Sequence, residues 1–277
     1  GVAAIVAALE RAAAGRAVSI YLTDGRLVPP AVATAAPLLA AASNWHALAR
    51  FVCRYVSGEC GLLIDIGTTT TDVIPLVAGR PAAIGQTDPE RLAAGELVYT
   101  GVERTPICAL ATEFPWRGLP CPTAAELFAT TWDIYLLLED LPEEPASTHT
   151  ADGRPATRPA ALDRIARQIC ADRMLFSFDD ALAAARAVAE RQRDLIARAV
   201  QTVIARLPQS PRTIVVSGRG EFLARRVLES LRLSAAVVSL AERLDGDSPR
   251  HELSRAAPAH ALAVLAREAF SSAAGAY

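Results

Sequence analysis

Gly61-Leu62-Leu63-Ile64-Asp65-Ile66-Gly67-Thr68-Thr69-Thr70-Thr71-Asp72-Val73-Ile74-Pro75-Leu76 is the stretch that decides the fold. Its first six residues form an apolar run with one carboxylate near the end, which reads as a buried strand carrying Asp65 to its carboxyl terminus. Gly67 and four threonines follow, then Asp72 to Leu76, so the pattern is strand, tight turn, strand. A second turn at Val77-Ala78-Gly79-Arg80 leads into Pro81 to Ile84, and three antiparallel strands are expected. Two aspartates bracketing a turn add nothing to a hairpin's stability. Gly67, however, admits a close backbone approach, and serial threonine N–H and hydroxyl groups can wrap phosphate oxygens. Asp65 and Asp72 supply the hard oxygens that Mg2+ takes, directly or through water. The plain alternative is a hairpin with good strand propensity and a polar tip.

Working outward, Val2, Ile5, Val6 and Leu9 lie on one face of a first helix, Val18 to Leu22 reads as a short strand, and Asp24-Gly25 as a turn. One long helix is expected over Pro37 to Tyr55. Downstream come a helix near Pro89 to Tyr99, a strand near Thr105 to Leu110, a Pro-rich loop from Phe114 to Pro122, and an ordered or partly ordered excursion from Glu139 to Pro159. Helices at Pro159 to Asp172 and Phe178 to Arg206 precede a strand at Thr213 to Ser217. A helix at Gly220 to Arg232, a strand at Ala235 to Leu240 and a helix at Ser254 to Ala269 complete an α/β pattern. The strands at Thr105 to Leu110, Thr213 to Ser217 and Ala235 to Leu240 are all expected to join the sheet begun at Gly61. The strand Thr213 to Ser217 runs into Ser217-Gly218-Arg219-Gly220-Glu221, a glycine turn opening a helix, where an anion can meet a helix N-terminus. An ordinary strand-to-helix connection has the same appearance.

The 277 residues are 52% hydrophobic and 21% charged with a net charge of −2, which excludes disorder and gives no electrostatic footprint for nucleic acid. All 28 basic residues are Arg, so Schiff-base chemistry, a Lys nucleophile and a phosphate-loop Lys are excluded. Five widely spaced cysteines without a C-x-x-C pair indicate neither a disulfide framework nor a zinc site, and a reducing cytoplasm is expected. No apolar stretch approaches the roughly 20 residues of a membrane span. His46, His149, His251 and His260 show no paired spacing, and Trp45, Trp116 and Trp132 read as packing residues.

The two turns together resemble those of the actin-like ATPase and sugar-kinase superfamily, and most of all its hydantoinase and oxoprolinase branch, whose hairpin reads D-x-G-G-T-[ST]-T-D. Thr68 stands where that pattern has its second Gly. Further stretches extend the likeness along nearly the whole chain: Ala42-Ser43-Asn44-Trp45, Gly95-Glu96-Leu97, Thr100-Gly101-Val102, Arg104-Thr105-Pro106, Thr130-Thr131-Trp132-Asp133 and Thr150 to Thr157. Taken as a set they resemble the family of tetrahydromethanopterin-linked C1-transfer proteins, which includes an archaeal synthase of the methanofuran core. The resemblance implies an actin-like, ribonuclease H-like mixed sheet flanked by helices. Residues 1–57 would be the remainder of an N-terminal lobe and 58–277 a C-terminal lobe with an insertion over about 112–210. Family members open with another D-x-G-G hairpin, and nothing before Val18 matches it, so the expectation is either a first lobe outside this sequence or a protein that lacks that lobe.

The resemblance further implies a cytoplasmic transferase that joins an aminomethylfuran-methyl diphosphate to the phenol of γ-glutamyltyramine and releases diphosphate. Asp65 and Asp72 would hold Mg2+, and Gly67, Thr68 to Thr71, Ser217 and Gly218 the phosphate. Asp133 or Asp152 would orient the phenol or the substrate amine, with a helix cap or a turn aspartate as the plain alternative for each. Arg104 and Arg154 are expected on phosphate, with surface solvation as the alternative. Asn44 is expected as a buried polar contact beside Trp45 that faces substrate, and Glu96, Thr100, Gly101 and Thr131 are expected on substrate as well. Two other functions fit the superfamily: an ATP-dependent kinase or hydantoinase-type hydrolase, and a non-catalytic scaffold. The expected partners are small-molecule diphosphate and phenol substrates, without nucleic acid or membrane, and a homo-oligomer is compatible with the sequence.

Overall fold

The computed structural model describes residues 1–245 and 256–274. Its centre is the expected hairpin. Strands β3 (Cys60–Ile66) and β4 (Thr71–Val77) pair antiparallel with Ile66 opposite Thr71, leaving Gly67 to Thr70 as the connecting turn. At the other end, Ala78 (φ 49°) and Gly79 (φ 73°) make the two-residue turn into β5 (Arg80–Pro81), both central residues left-handed as a primed hairpin requires. β9 (Thr213–Ser217) adds parallel to β3, and β10 (Ala236–Ser239) adds parallel to β9. The sheet order is therefore β10-β9-β3-β4-β5, with the short β6 (Leu97–Val98) beside the turn end of β4.

Before the sheet lie α1 (Val2–Ala13), the short hairpin β1 (Ile20–Tyr21) and β2 (Leu27–Val28), α2 (Pro30–Ala35), α3 (Pro37–Ala40) and α4 (Asn44–Val52). Beyond β5 come α5 (Asp88–Ala94), the hairpin β7 (Glu113–Trp116) and β8 (Leu119–Pro122), α6 (Thr131–Leu137), α7 (Arg158–Arg167), α8 (Phe178–Ile204), α9 (Glu221–Leu231), α10 (Leu240–Asp245) and α11 (Ala257–Ala274). Side chains of the sheet alternate between two cores. Leu62, Ile64, Ile66, Val73, Ile214 and Val216 face the layer of α6, α8 and α9, whereas Leu63, Ile74, Leu76 and Val215 face α4 and α11. Strands buried on both faces explain the unbroken apolar runs that marked them in the sequence.

Four local expectations are corrected. The helix expected over Pro37 to Tyr55 is broken, because Ala41 is extended and Ala42 left-handed (φ 52°), so α3 ends at Ala40 and α4 begins at Asn44. The helix expected to reach Tyr99 stops at Ala94 under a left-handed Gly95, and Leu97–Val98 pairs with β4 instead. No strand forms over Thr105 to Leu110. Pro106 makes a single bridge to Thr130, and Ile107 to Ala109 turn as a 3-10 helix. The Pro-rich loop is a hairpin, β7–β8, closed by left-handed Arg117 and Gly118. The excursion over 139–159 is ordered, and Glu144 bridges to Ala156 within it. The last helix was expected to begin at Ser254, which lies outside the described residues, as does His251.

Candidate functional site

The site is built by register. β3 pairs Asp65 directly with Asp72 of β4, and its parallel ladder with β9 places Ser217 beside Asp65. Side-chain alternation turns all three toward the α4 face, at the carboxyl ends of the parallel strands, where open α/β sheets collect ligands. The turn after β9 is thereby brought against the hairpin turn. Gly218 has φ 87°, and a Cβ there would press on the Ile66 carbonyl and lie 2.7 Å from the Asp65 carboxylate. Gly220 N–H donates to the Ile66 carbonyl at 2.9 Å. Only glycines allow the second turn to come this close.

The threonine turn is held by its carbonyl side. The Gly67 carbonyl accepts from Val102 N–H, and the Thr68 carbonyl accepts from Glu103 and Arg104 N–H, each at 3.0 Å. Gly101 makes this docking possible, since a Cβ there would sit 2.5 Å from Thr68 C and Thr69 N. The opposite side of the turn is a row of donors. Among the described residues, the N–H groups of Thr68, Thr69 and Thr70 have no acceptor, and neither do those of Gly218 and Arg219 in the second turn. The Thr68 and Thr69 hydroxyls lie 3.3 Å apart and partly exposed, whereas the buried Thr71 hydroxyl donates to the Thr100 carbonyl at 2.8 Å. Consecutive main-chain N–H groups without acceptors are the kind of donor row that can bind an anion. Thr68 has no left-handed backbone, so the place where the family pattern has Gly carries a side chain without strain.

Two carboxylates directly opposite on one sheet face repel. Burial, and next the Asp72 charge, raise the Asp65 carboxyl to about 7. Burial also raises Asp72, but the Arg91 guanidinium opposes it from 2.5 Å. Arg91 is 2% exposed and lies over the Trp45 ring at 4.1 Å, so it is a built counter-ion for Asp72. Glu221, the last residue of the second turn motif, accepts from the Ser239 hydroxyl at 2.6 Å and from Ala241 N–H at 3.1 Å, which ties α9 to β10. Neither Asp65 nor Glu221 forms an ion pair among the described residues, but Glu221 is held by its hydrogen bonds to β10 and α10. Beside Asp65 the buried Ser217 hydroxyl lacks a hydrogen-bond partner. Free carboxylate and hydroxyl oxygens suit Mg2+ chemically, through Asp65 rather than Asp72. No cluster of three His, Cys, Asp or Glu side chains among the described residues could cage a metal. Such an ion would therefore need oxygens from a ligand.

The structure brings Asp65, Asp72, Gly67 to Thr71, Gly101, Ser217 and Gly218 together with Arg104 beside them, packs Thr100 and Thr131 behind the turn, and places Asp133, Asp152, Arg154, Glu96 and Asn44 in other surroundings. Asp133 is 1% exposed, completes the capping box of α6 with Thr130, and accepts from Arg164 at 2.6 and 2.9 Å. Asp152 is a turn aspartate shared among Arg154, Arg164 and Arg167, and Arg154 also reaches Asp163 at 2.8 Å. The cap and turn alternatives are what the geometry realises for these aspartates. The buried Glu96 accepts from the Ile84 and Gly85 N–H groups and pairs with Arg206. Thr100 and Thr131 are buried; the Thr131 hydroxyl donates to the Gly101 carbonyl, and Thr100 meets Thr105 and Gln192. Asn44, expected as a buried contact, is exposed at the start of α4 while Trp45 beside it is buried. Arg104 is exposed next to the threonine turn and forms no ion pair among the described residues.

Three residues escape the sequence reading: Arg91, Glu221 and Arg219. The first two act through partners distant in sequence, so no spacing announces them. Arg219 was visible inside the glycine turn, between two residues that were read for their backbone alone.

Comparison with known proteins adds to this geometry. The chain is 33% identical over 224 residues to the (4-{4-[2-(gamma-L-glutamylamino)ethyl]phenoxymethyl}furan-2-yl)methanamine synthase of Methanocaldococcus jannaschii, covering 81% of this chain and 64% of the relative. It is 34% identical over 219 residues to the protein of the same name from Methanococcus vannielii, covering 78% of this chain and 95% of that one. The chain thus spans less than two thirds of the M. jannaschii relative. Among solved structures it is similar to nucleotide-free acetone carboxylase, at a TM-score of 0.50 and 16% identity over 80% of this chain and 33% of that one, a likeness of fold. The hydantoinase/oxoprolinase family model matches residues 2–244. That span contains both turns and the strands whose register joins them, and the chain belongs to the hydantoinase/oxoprolinase family.

Proposed function

We propose that this chain carries the diphosphate-binding part of a transferase in one-carbon-carrier biosynthesis. It would join an aminomethylfuran-methyl diphosphate to the phenol of γ-glutamyltyramine. The observation that carries the reading is the row of main-chain donors on two turns, with Asp65 behind it. This is the arrangement that departure of a diphosphate needs, because negative charge grows on its bridging oxygen as the carbon–oxygen bond breaks. The phenol oxygen forms the new bond to the furan methylene, the old bond's electron pair leaves with the diphosphate, and the phenolic proton ends on that diphosphate. The N–H groups of Thr68 to Thr70, Gly218 and Arg219 bind its oxygens, with the Thr68 and Thr69 hydroxyls beside them. Asp65 would hold Mg2+, whose charge neutralises the leaving group when it is bound. The names of the archaeal relatives, which describe a phenoxymethylfuran product, support the substrate pair.

Calorimetric titration of the full-length protein with Mg2+-pyrophosphate and with Mg2+-ATP, together with an assay for the aryl ether, tests the reading. Pyrophosphate binding in preference to ATP and formation of the ether are expected. Preference for ATP without ether formation would replace the proposal with ATP-dependent chemistry.

A further inference from the structure

Resting on that reading, we propose that Arg219 is a phosphate-oxygen ligand of the second turn, stored in the ligand-free protein on Glu103 and Glu144. Its guanidinium is 16% exposed, with Nε 2.7 Å from the Glu103 carboxylate and Nη2 2.6 Å from that of Glu144, and it lies over the Trp132 ring at 5.8 Å. Each partner comes from a different piece of the site. Glu103 sits in the segment whose N–H groups hold the threonine turn, and Glu144 in the ordered excursion after α6. Arg219 itself follows Gly218, the residue packed on Asp65 and Ile66.

Charge gives the reason for a ligand role. Around the two turns stand Asp65, Asp72, Glu103, Glu144 and Glu221, against the cations Arg91, Arg104 and Arg219. Arg91 is buried on Asp72 and cannot leave without stranding that charge. Arg154, the other arginine expected on phosphate, is bound to Asp152 and Asp163. A multiply charged anion entering this surplus of carboxylates requires cations; the exposed Arg104 stands beside the threonine turn, and Arg219 is the cation within the second donor turn itself. Guanidinium geometry matches a phosphate's paired oxygens as well as it matches a carboxylate. Glu144, 36% exposed at the rim, is the weaker of its two holders, because an exposed ion pair contributes little. Binding would exchange the Glu144 contact for a phosphate oxygen, with Glu103 keeping the guanidinium in place.

This role predicts effects of opposite sign. Arg219→Met should weaken Mg2+-pyrophosphate binding about tenfold or more, Arg219→Lys should recover part of the loss, and Glu144→Gln should tighten binding about threefold by releasing the competitor. Calorimetry on the full-length protein reads all three, and thermal melting of each variant reports that it is folded. A clasp with only a structural role would weaken binding in both Arg219→Met and Glu144→Gln, and that result overturns the proposal. So does unchanged affinity in Arg219→Met while the wild type binds. A wild type that binds no pyrophosphate overturns the functional reading as well, so the two failures are distinguishable.

Discussion

Replacing Asp65 by Asn should stabilise the ligand-free protein and remove its ligand response, and the structure sets both the sign and the size. The carboxyl rises from 3.8 to about 7 because it is buried opposite Asp72. That rise corresponds to about 4 kcal/mol against the folded state once the group is fully ionised. Partial solvent access at the edge of the site reduces this to about 2 kcal/mol. Between about pH 4 and about pH 7 the unfolded chain has released this proton and the folded chain retains it. Stability therefore falls as pH rises through that window and levels off above it. Asn keeps the shape and carries no charge. In metal-free buffer the variant should melt about 5 °C above wild type at pH 8, with the gap narrowing steadily toward pH 5. Added Mg2+-pyrophosphate should raise the melting temperature of the wild type and leave Asp65→Asn unmoved. A variant that melts below wild type at pH 8, by an amount that pH does not alter, would show that Asp65 is satisfied in the fold and would remove it from the site.

Three further outcomes are expected. Gly101→Ala drives a Cβ into the threonine turn at 2.5 Å and should cost about 1–3 kcal/mol in denaturant unfolding while abolishing pyrophosphate binding; intact binding would show that the turn does not depend on that docking. Arg164→Met strands the buried Asp133 and frees one Asp152 contact; a loss of about 3–5 kcal/mol, with faster proteolysis over 139–157, is expected, whereas near-neutral stability would refute the account of the ion network. Tyr135→Phe removes the 2.6 Å hydrogen bond to the buried Gln192 carboxamide and should cost about 1–3 kcal/mol without altering ligand affinity, which separates the core from the site in one titration.

The legible parts of the chain were those where local chemistry and tertiary demand agree. The β3–β4 hairpin stands out because both strands are buried on two faces and a glycine and four threonines interrupt the apolar runs. Ser217 to Glu221 was legible for the same reason. The Ala-rich segment before Asn44 was not, since its break falls on Ala41 and Ala42, residues that carry no helix-stop signal. The β7–β8 hairpin was hidden by Pro115, Pro120 and Pro122, which ordinarily argue against strands; a two-stranded ribbon outside the main sheet tolerates the missing donors. Asp133 and Asp152 stand out through the motifs of the family resemblance, whereas their shared partner Arg164 is announced by no spacing. The Asp72–Arg91 pair, which leaves Asp65 as the free carboxylate, depends likewise on a tertiary contact no spacing encodes.

The proposed anion site draws most of its donors from peptide groups, and Gly101 and Gly218 leave the room that lets the two turns meet. Its inheritance should then be uneven: hydroxyls at 68 to 70 can drift to other small residues, while the empty Cβ positions at 101 and 218 cannot be filled. A scan of the threonine side chains would score them as dispensable and overlook the N–H groups that the turn presents. Exchanging single amides of the turn for esters deletes one N–H at a time, and that substitution addresses the atoms the ligand would meet.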